Sequence, residues 1–409
     1  MHVAEDRSKE NKRLTRHKEM QLLLFIFLPF VAFLRSCFNL RSRVSQLVFV
    51  LFFALFGYCH TFTDIRADSY RKYLSFTTYQ AESIKDITTD FLNGEHKDIY
   101  ENILFSLLKS VTDNPHIMMM VVGLIGGIFT MLLFKRVFED RQSSVTIPIA
   151  ILVMMLFIEA NPILIGGIRN FTAMSLFMYS LIRLVIDNKR WWIIGILLTP
   201  LIHFGWIVAS VAAIVVWLVR MPNTLLHYLA LIICALSLFL DTSSYSGAFD
   251  LMMDSMDNEA IADRVENYGD EQIEDEFNKS LTTRLVRLNN QIGTCFVFIL
   301  LIFLRRNREK LLESGYLQRI YNLLLWFTIV GYSLISFSVV GQRFVCISQI
   351  LIYMLLLNLY QTSDSRAVGR FIYALPVVFS IRILWVLYNC YCNVGWEIFV
   401  LPTPVLLML

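Results

Sequence analysis

The stretch NPILIGGIRNFTAMSLFMYSL, residues 161 to 181, is almost wholly apolar yet carries one charge, Arg169, in its middle. Such a run belongs either to the core of a soluble protein or to a membrane segment, and the rest of the chain decides which. The chain has 409 residues, of which 56% are hydrophobic and 17% are charged, against about 25% charged in a typical soluble domain. The mean hydropathy is +0.58. The charges gather in short islands between apolar runs of about 15 to 22 residues, which indicates membrane-spanning helices.

These runs predict an all-α polytopic membrane protein, because a helix satisfies its own backbone hydrogen bonds in lipid. Residues 1–19 form a charged N-terminal segment with no cleavable signal peptide expected. Residues 20–409 are predicted to form a single integral membrane domain. The predicted spans are 20–34, 44–60, 114–134, 144–160, 171–187, 191–219, 224–240, 286–304, 318–336, 344–360 and 371–389.

Short basic loops predict the orientation, because Lys and Arg are enriched on the cytoplasmic side. The basic islands are 35–43, 135–141, 188–190, 305–310 and 365–370. They all fall on the cytoplasmic side if 191–219 is a broken hairpin of two short half-spans that turns around Pro200 and His203. The sequence therefore predicts one broken helical hairpin.

This topology makes two longer loops extracytoplasmic, about 61–113 and 241–285. The first contains an amphipathic segment and the second is acidic. The N-terminal run 20–34 either spans the membrane or is re-entrant, so about 11 or 12 transmembrane helices are expected. The seven cysteines are scattered, most of them in apolar runs, and are read as small core residues.

Polar residues recur at the outer ends of the predicted spans. A charge within an apolar stretch costs several kcal/mol and usually faces a cavity or a partner. Each has an ordinary alternative: Arg169 and Arg343 could snorkel to the interface, and His203 could be a packed turn histidine. Together, several cationic or protonatable groups on one face indicate a bound anion. The candidates are Arg66, Asp68, Tyr70, Arg71, Glu159, Asn161, Arg169, His203, Arg264, Tyr268, Gln342 and Arg343.

Four motifs resemble the EpsG/Wzy family of bacterial membrane polysaccharide polymerases. They occur in the family's order over residues 60 to 360, whereas the charged N-terminal segment departs from the family. The motifs are ADSYRKYLSF (67–76), GGIRNFTAMSLF (166–177), PLIHFGWI (200–207) and GQRFVCISQILIY (341–353).

The resemblance implies a glycosyltransferase of GT-C-like architecture in the bacterial cytoplasmic (inner) membrane. Its substrates would be undecaprenyl-diphosphate-linked oligosaccharide repeat units, as donor and acceptor, joined at the periplasmic face. It implies no cofactor and no metal. The sequence has no block of basic residues interleaved with aromatic residues, so no nucleic-acid partner is expected. The expected partners are membrane lipid, a chain-length regulator and a flippase.

The residue types fit this chemistry independently. A diphosphate leaving group needs permanent positive charge, which arginine supplies, and the candidates are Arg169, Arg343, Arg66, Arg71 and Arg264. A weakly nucleophilic acceptor hydroxyl needs a general base, for which the candidates are His203, Glu159 and Asp68. Direct displacement would invert the anomeric carbon. The candidate sugar contacts are Tyr70, Tyr268, Gln342 and Asn161.

Three other functions remain open from the sequence. A flippase for the same lipid-linked oligosaccharide would also need cationic residues, although the chain shows no pair of related halves. A membrane O-acyltransferase would use an intramembrane histidine but would open it to the cytoplasm. An O-antigen ligase would differ from a polymerase in its acceptor.

Overall fold

The computed structural model describes residues 19–63, 65, 67–138, 145–219, 223–239, 281–311, 313–335, 338–363 and 365–408. Every secondary-structure element in these ranges is a helix, which confirms the all-α class. Arg66, Arg264 and Tyr268 lie outside the described residues, as do residues 1–18 and most of the predicted loop 241–285.

The described part contains four helices that are long and apolar enough to cross a membrane, and a bent pair counts as a fifth. The four spans are Pro115–Phe138, Ile147–Gly166, Arg287–Arg306 and Arg343–Thr362. The bent pair is Arg366–Val378 and Ser380–Val394, at 49°. Shorter apolar helices are Arg43–Tyr58, Arg190–Ile202, Phe204–Leu218 and Thr224–Leu236. The chain is therefore a multi-pass membrane protein, while the total of 11 or 12 spans stays a prediction.

The chain folds as two compact units. The first comprises Met1–Thr146, Ala160–Ser210 and Val386–Leu409, and the second comprises Ile147–Glu159 and Val211–Trp385. The main helices of the first unit are α1 (19–27), α2 (Pro29–Cys37), α3 (Arg43–Tyr58), α4 (Asp68–Thr78), α5 (Ile84–Leu92), α6 (Tyr100–Lys109), α7 (Pro115–Phe138), α9 (Ile168–Leu181) and α10 (Ile193–Ile202). The predicted span 20–34 is interrupted at Leu28, where α1 ends and α2 begins with Pro29.

Helices α3 and α7 form the core of the first unit because glycines let their backbones come close. A Cβ atom at Gly123 of α7 would overlap the carbonyl oxygen of Phe53, and one at Gly57 of α3 would overlap that of Met119. The aromatic ring of Phe53 stacks on that of Phe49 with ring centroids 5.2 Å apart. Helix α9 also packs on α7, and the ring of Phe171 stacks on that of Phe53 with centroids 6.0 Å apart.

The run 191–219 is broken, as predicted. Helix α10 ends at Ile202, His203 is extended, and α11 (Ile207–Leu218) follows after one 3-10 turn. Pro200 has no N–H to bond the carbonyl four residues back, and the Ser210 hydroxyl donates to that Ile196 oxygen at 3.1 Å. Ile196 and Ser210 each lie seven positions from His203, so the chain folds back on itself as a hairpin.

The second unit is built around one strongly buried span. Its main helices are α8 (Ile147–Glu159), α12 (Asn223–Leu236), α13 (Leu281–Arg306), α14 (Arg308–Leu311), α15 (Gly315–Ser333), α16 (Ser338–Thr362) and α17 (Arg366–Val378). Helix α16 is the central element, since 83% of its most hydrophobic stretch, within Arg343–Thr362, is buried. It packs against α15, α8 and α17.

The chain bends by 49° between α17 and α18 (Ser380–Val394). Pro376 lies inside α17, near its end, and removes one helical hydrogen bond just before the bend. The end of α18 belongs to the first unit, together with α19 (Glu397–Val400) and α20 (Thr403–Leu406).

Candidate functional site: a charged cluster in the first unit

The segment that precedes Arg169 is more regular than the sequence predicts. Asn161 begins a 3-10 helix, Pro162–Gly166, and its side-chain oxygen accepts a hydrogen bond from the Ile163 N–H at 3.1 Å. Helix α9 begins at Ile168, whereas the sequence predicts a span from about Phe171 onward. Arg169 therefore lies in the first turn of a helix and not in a loop.

Two buried carboxylates hold the Arg169 guanidinium. Its Nη1 donates to both oxygens of Asp98, at 3.2 and 3.0 Å, and its Nε lies 2.9 Å from Oε2 of Glu101. Asp98 and Glu101 are 7% and 9% exposed. Because charge-assisted bonds along two edges fix the plane of a guanidinium, the orientation of Arg169 is set before any ligand arrives.

A second cation completes the arrangement. The Lys72 Nζ of α4 donates to both oxygens of Glu101, at 2.6 and 2.7 Å. Two cations and two carboxylates give these four groups a formal net charge of zero. The predicted anion site is therefore not a bare positive patch, since the charge of Arg169 is balanced in the structure.

His203 is next to Asp98 at the break between α10 and α11. Its Nδ1 lies 3.8 Å from Oδ2 of Asp98, which is an ion-pair distance and longer than a hydrogen bond. Burial alone would raise the pKa of Asp98, but His203 and Arg169 outweigh burial and hold that pKa below its usual value. Asp98 is therefore a carboxylate at neutral pH. We call Lys72, Asp98, Glu101, Arg169 and His203 the Arg169 cluster.

Hydrogen bonds between neighbouring helices hold together the elements that carry the cluster. The Ile99 N–H, next to Asp98, donates to the Leu201 carbonyl at 3.1 Å, which joins the start of α6 to the end of α10. The Tyr100 hydroxyl lies 3.2 Å from the Thr172 hydroxyl, which joins α6 to α9. The cluster thus draws its residues from α4, from α6 and the segment just before it, from α9 and from the hairpin break.

Other candidates of the first unit lie on α4 or at the start of the 3-10 helix that precedes α9. Asp68 and Arg71 form an exposed ion pair at 3.0 Å, and each side chain is 67% exposed. Tyr70 is half-buried on the same helix. Asn161 is 4% exposed, and its side-chain oxygen accepts the cap bond described above, so the structure gives it a structural role. The sugar contacts predicted for Tyr70 and Asn161 stay predictions.

Glu159 belongs to the second unit and has a cation partner there. Arg382 of α18 forms an ion pair with Glu159 and donates to Oε1 of Gln349 at 3.0 Å. The Tyr353 hydroxyl donates to the other Glu159 oxygen at 3.3 Å. Glu159 is 1% exposed, so its carboxylate is a buried, bonded group, which does not favour its predicted role as a base.

The remaining two candidates lie on α16. Arg343 is half-buried there, and the position of Gln342 is helical, although its side chain lies outside the described part. Their predicted roles at diphosphate and sugar stay predictions.

Sequence reasoning missed Lys72, Asp98, Glu101 and Arg382, although signals were present. Glu101 lies three, four and seven positions before Leu104, Phe105 and Leu108, which places it on the apolar face of an amphipathic helix. A carboxylate on such a face needs a partner. Arg382 lies inside the predicted span 371–389, where the argument made for Arg169 applies equally.

Among the described residues, no group of three or more His, Cys, Asp or Glu side chains could hold a metal ion. The sequence model of the EpsG family matches residues 46–395, which is most of the chain and includes every member of the Arg169 cluster. The chain belongs to the EpsG family. No curated protein and no solved structure matches the chain.

Membership of the EpsG family confirms the resemblance seen in the sequence and makes this chain a polysaccharide polymerase-like membrane protein.

Proposed function

We propose that the protein is a polysaccharide polymerase, a glycosyltransferase that joins undecaprenyl-diphosphate-linked oligosaccharide repeat units at the outer face of the cytoplasmic membrane. The observation that carries the proposal is the Arg169 cluster. It combines a fixed arginine, a lysine and a histidine–carboxylate pair in one place, which are the groups that transfer from a lipid diphosphate requires.

The two cations suit the leaving group. Arg169 and Lys72 keep 26% and 19% of their side chains exposed, so a ligand can reach them. The bonds of Arg169 to Asp98 and Glu101 use Nε and Nη1, and within the described residues Nη2 forms no hydrogen bond or ion pair. In the proposal, Nη2 and the Lys72 ammonium contact the diphosphate and stabilise its charge as the glycosidic bond breaks.

The balanced charge of the cluster shapes this step. A diphosphate brings negative charge to a group of residues that is formally neutral. Binding therefore requires Arg169 and Lys72 to share their N–H donors between the carboxylates and the phosphate, while His203 stays neutral. Because the phosphate must compete with the carboxylates for these donors, binding favours a ligand whose lipid and sugar parts contribute binding energy of their own.

His203 suits the role of general base. The carboxylate of Asp98, at ion-pair distance from the imidazole, stabilises the imidazolium that forms when the acceptor hydroxyl gives up its proton. The acceptor oxygen then attacks the anomeric carbon of the donor, and the lipid diphosphate departs. One direct displacement inverts the anomeric configuration. The cations of the cluster supply the charge stabilisation, so the proposed step is metal-independent.

A chromosomal deletion with complementation tests the proposal in the cell. The deletion strain is expected to display single repeat units and to lose the long ladder of surface polysaccharide on a gel. Arg169→Ala, Asp98→Asn and His203→Asn are expected to leave the ladder absent or faint. Arg366→Ala, an exposed arginine at the start of α17, is the matched control and is expected to restore it. Expression of each variant is checked by immunoblot.

The same gels separate the alternative functions. A deletion strain that exports no repeat units would indicate a flippase instead. A full-length ladder that is absent only from the final lipid acceptor would indicate a ligase. A normal ladder with all three cluster variants would show that the Arg169 cluster is not the site.

A further inference from the structure

A group of aromatic side chains lies beside the Arg169 cluster. We call Phe62, Tyr70, Tyr73 and His116 the aromatic strip. The ring of Tyr73 stacks on that of Phe62 with centroids 4.9 Å apart, and it lies 6.0 Å from the ring of Tyr70. The ring of His116 lies 5.1 Å from Phe62. All four side chains are half-buried, so each keeps part of its surface open.

The strip carries polar groups that are open to a ligand. Within the described part of the chain, neither the Tyr70 nor the Tyr73 hydroxyl forms a hydrogen bond with the protein. His116 Nδ1 lies 2.8 Å from the carbonyl oxygen of Tyr58. A carbonyl can only accept, so Nδ1 carries a proton and Nε2 of the neutral ring is left as an acceptor. Asp68 and Arg71, exposed on the same helix, add charged groups.

The strip adjoins the cluster through α4. Lys72, which pairs with Glu101, and Tyr73, which stacks on Phe62, are consecutive residues. Helix α4 packs on the 3-10 helix Pro162–Gly166, which lies just before Arg169. A ligand whose reacting end lies at the cluster would therefore extend naturally over the strip.

We infer that the aromatic strip binds the saccharide of the acceptor repeat unit and directs its terminal hydroxyl toward His203. Sugar rings have apolar C–H faces, which pack on aromatic rings, and a rim of hydroxyls, which pair with tyrosine, histidine and carboxylate groups. A site of aromatic rings with a few polar groups matches both features. An undecaprenyl tail offers no hydroxyls for these groups, and a diphosphate would favour cations over aromatic rings. The inference rests on the proposed function, which supplies the acceptor.

Direct saccharide binding tests the inference separately from polymerisation. The full-length protein is purified into lipid nanodiscs and titrated with oligosaccharides released by partial acid hydrolysis of the host's own surface polysaccharide. The wild type is expected to bind, and Phe62→Ala and Tyr73→Ala are each expected to weaken the affinity about tenfold. Tyr73→Phe keeps the ring and is expected to stay within about threefold of the wild type. Tyr391→Ala, an aromatic residue of α18 that is 62% exposed, is the control.

The outcomes are distinct from those of the proposed function. Equal binding by the wild type and both alanine variants, or no binding by the wild type, would overturn the inference. Polymer formation together with unchanged saccharide binding would overturn the inference alone. Weakened saccharide binding in a protein that makes no polymer would support the strip and contradict the proposed polymerase. Thermal unfolding of each variant in the nanodisc confirms that it is folded.

Discussion

At the level of single residues, Arg169 looks isolated in an apolar stretch of sequence, but in the structure it is paired with two carboxylates. The charge of Arg169 alone would be expensive in a mostly apolar unit, and Asp98 and Glu101 offset that cost. The same carboxylates fix the geometry of the guanidinium. Its proposed role therefore depends on shape as well as on charge.

Arg169→Lys separates these two contributions. Lysine keeps the charge but cannot bond Asp98 and Glu101 along two edges of one plane. We expect polymerisation to fall at least about tenfold in Arg169→Lys and about a hundredfold or more in Arg169→Ala. The measurement is the initial rate of polymer formation by purified protein. Equal rates for Arg169→Lys and the wild type would show that charge alone is sufficient.

Asp98 gives a prediction about pH. Its folded-state pKa lies below its ordinary value, and the unfolded value is about 3.9. The carboxylate therefore contributes its stabilisation at pH values above about 4, and this contribution is lost as the pH falls through the lower folded pKa. We expect Asp98→Asn to unfold at lower temperature at pH 7 and to approach the wild type at acid pH. A difference in unfolding temperature between the two proteins that stays constant down to pH 3 would contradict this prediction.

The ion pair of Glu159 and Arg382 predicts that either single substitution destabilises the protein and that the double substitution restores most of the stability. Removing one partner leaves the other charge buried and unpaired, which costs about 3–5 kcal/mol. We expect Glu159→Met and Arg382→Met each to lower the unfolding temperature, and the double variant to recover most of the loss. If the double variant is stable and still polymerises, Glu159 is not the base. If it is stable but inactive, the pair has a role in the reaction.

At the scale of elements, the close approach of α3 and α7 depends on glycine. A methyl group at Gly123 would meet the main-chain oxygen of Phe53, which cannot rotate away. We expect Gly123→Ala to destabilise the first unit by about 1–3 kcal/mol. Gly369→Ala on α17, where nothing lies within 4 Å of the added Cβ, is the matched control. Equal unfolding temperatures for the two variants in the same detergent would contradict the packing described for α3 and α7.

The sequence predicts the helices and their breaks better than it predicts the contacts between helices. The break at His203 could be predicted because Pro200 and the basic islands together disfavour one long span. The pairing of Arg169 with Asp98 could not, because it joins residues 71 positions apart through the packing of α6 on α9. Composition predicts that a buried charge needs a partner, but the choice of partner depends on tertiary structure. The bend after Pro376 could have been predicted for the same reason as the break near Pro200, but the sequence analysis treats 371–389 as one span.

At the scale of the whole molecule, the orientation in the membrane remains a prediction from the basic loops. We expect a cysteine or epitope tag inserted within 305–310 to report the cytoplasm and one within 255–275 to report the outside. The physical reason is the preference of Lys and Arg for the cytoplasmic side. Labelling of intact cells with a membrane-impermeant reagent measures it. Labelling of the tag at 305–310 from outside would reverse the orientation and with it the proposed side of the reaction.

Membership of the EpsG family and the Arg169 cluster together support the proposal that this chain lengthens a polysaccharide at that cluster. The most direct measurement is reconstitution of the purified protein in liposomes with lipid-linked repeat units, followed by gel analysis of the products in the presence of a metal chelator. We expect a ladder of polymer for the wild type and Arg366→Ala, and unreacted single units for Arg169→Ala and His203→Asn. Single units alone from the wild type, or an undiminished ladder from Arg169→Ala, would contradict it.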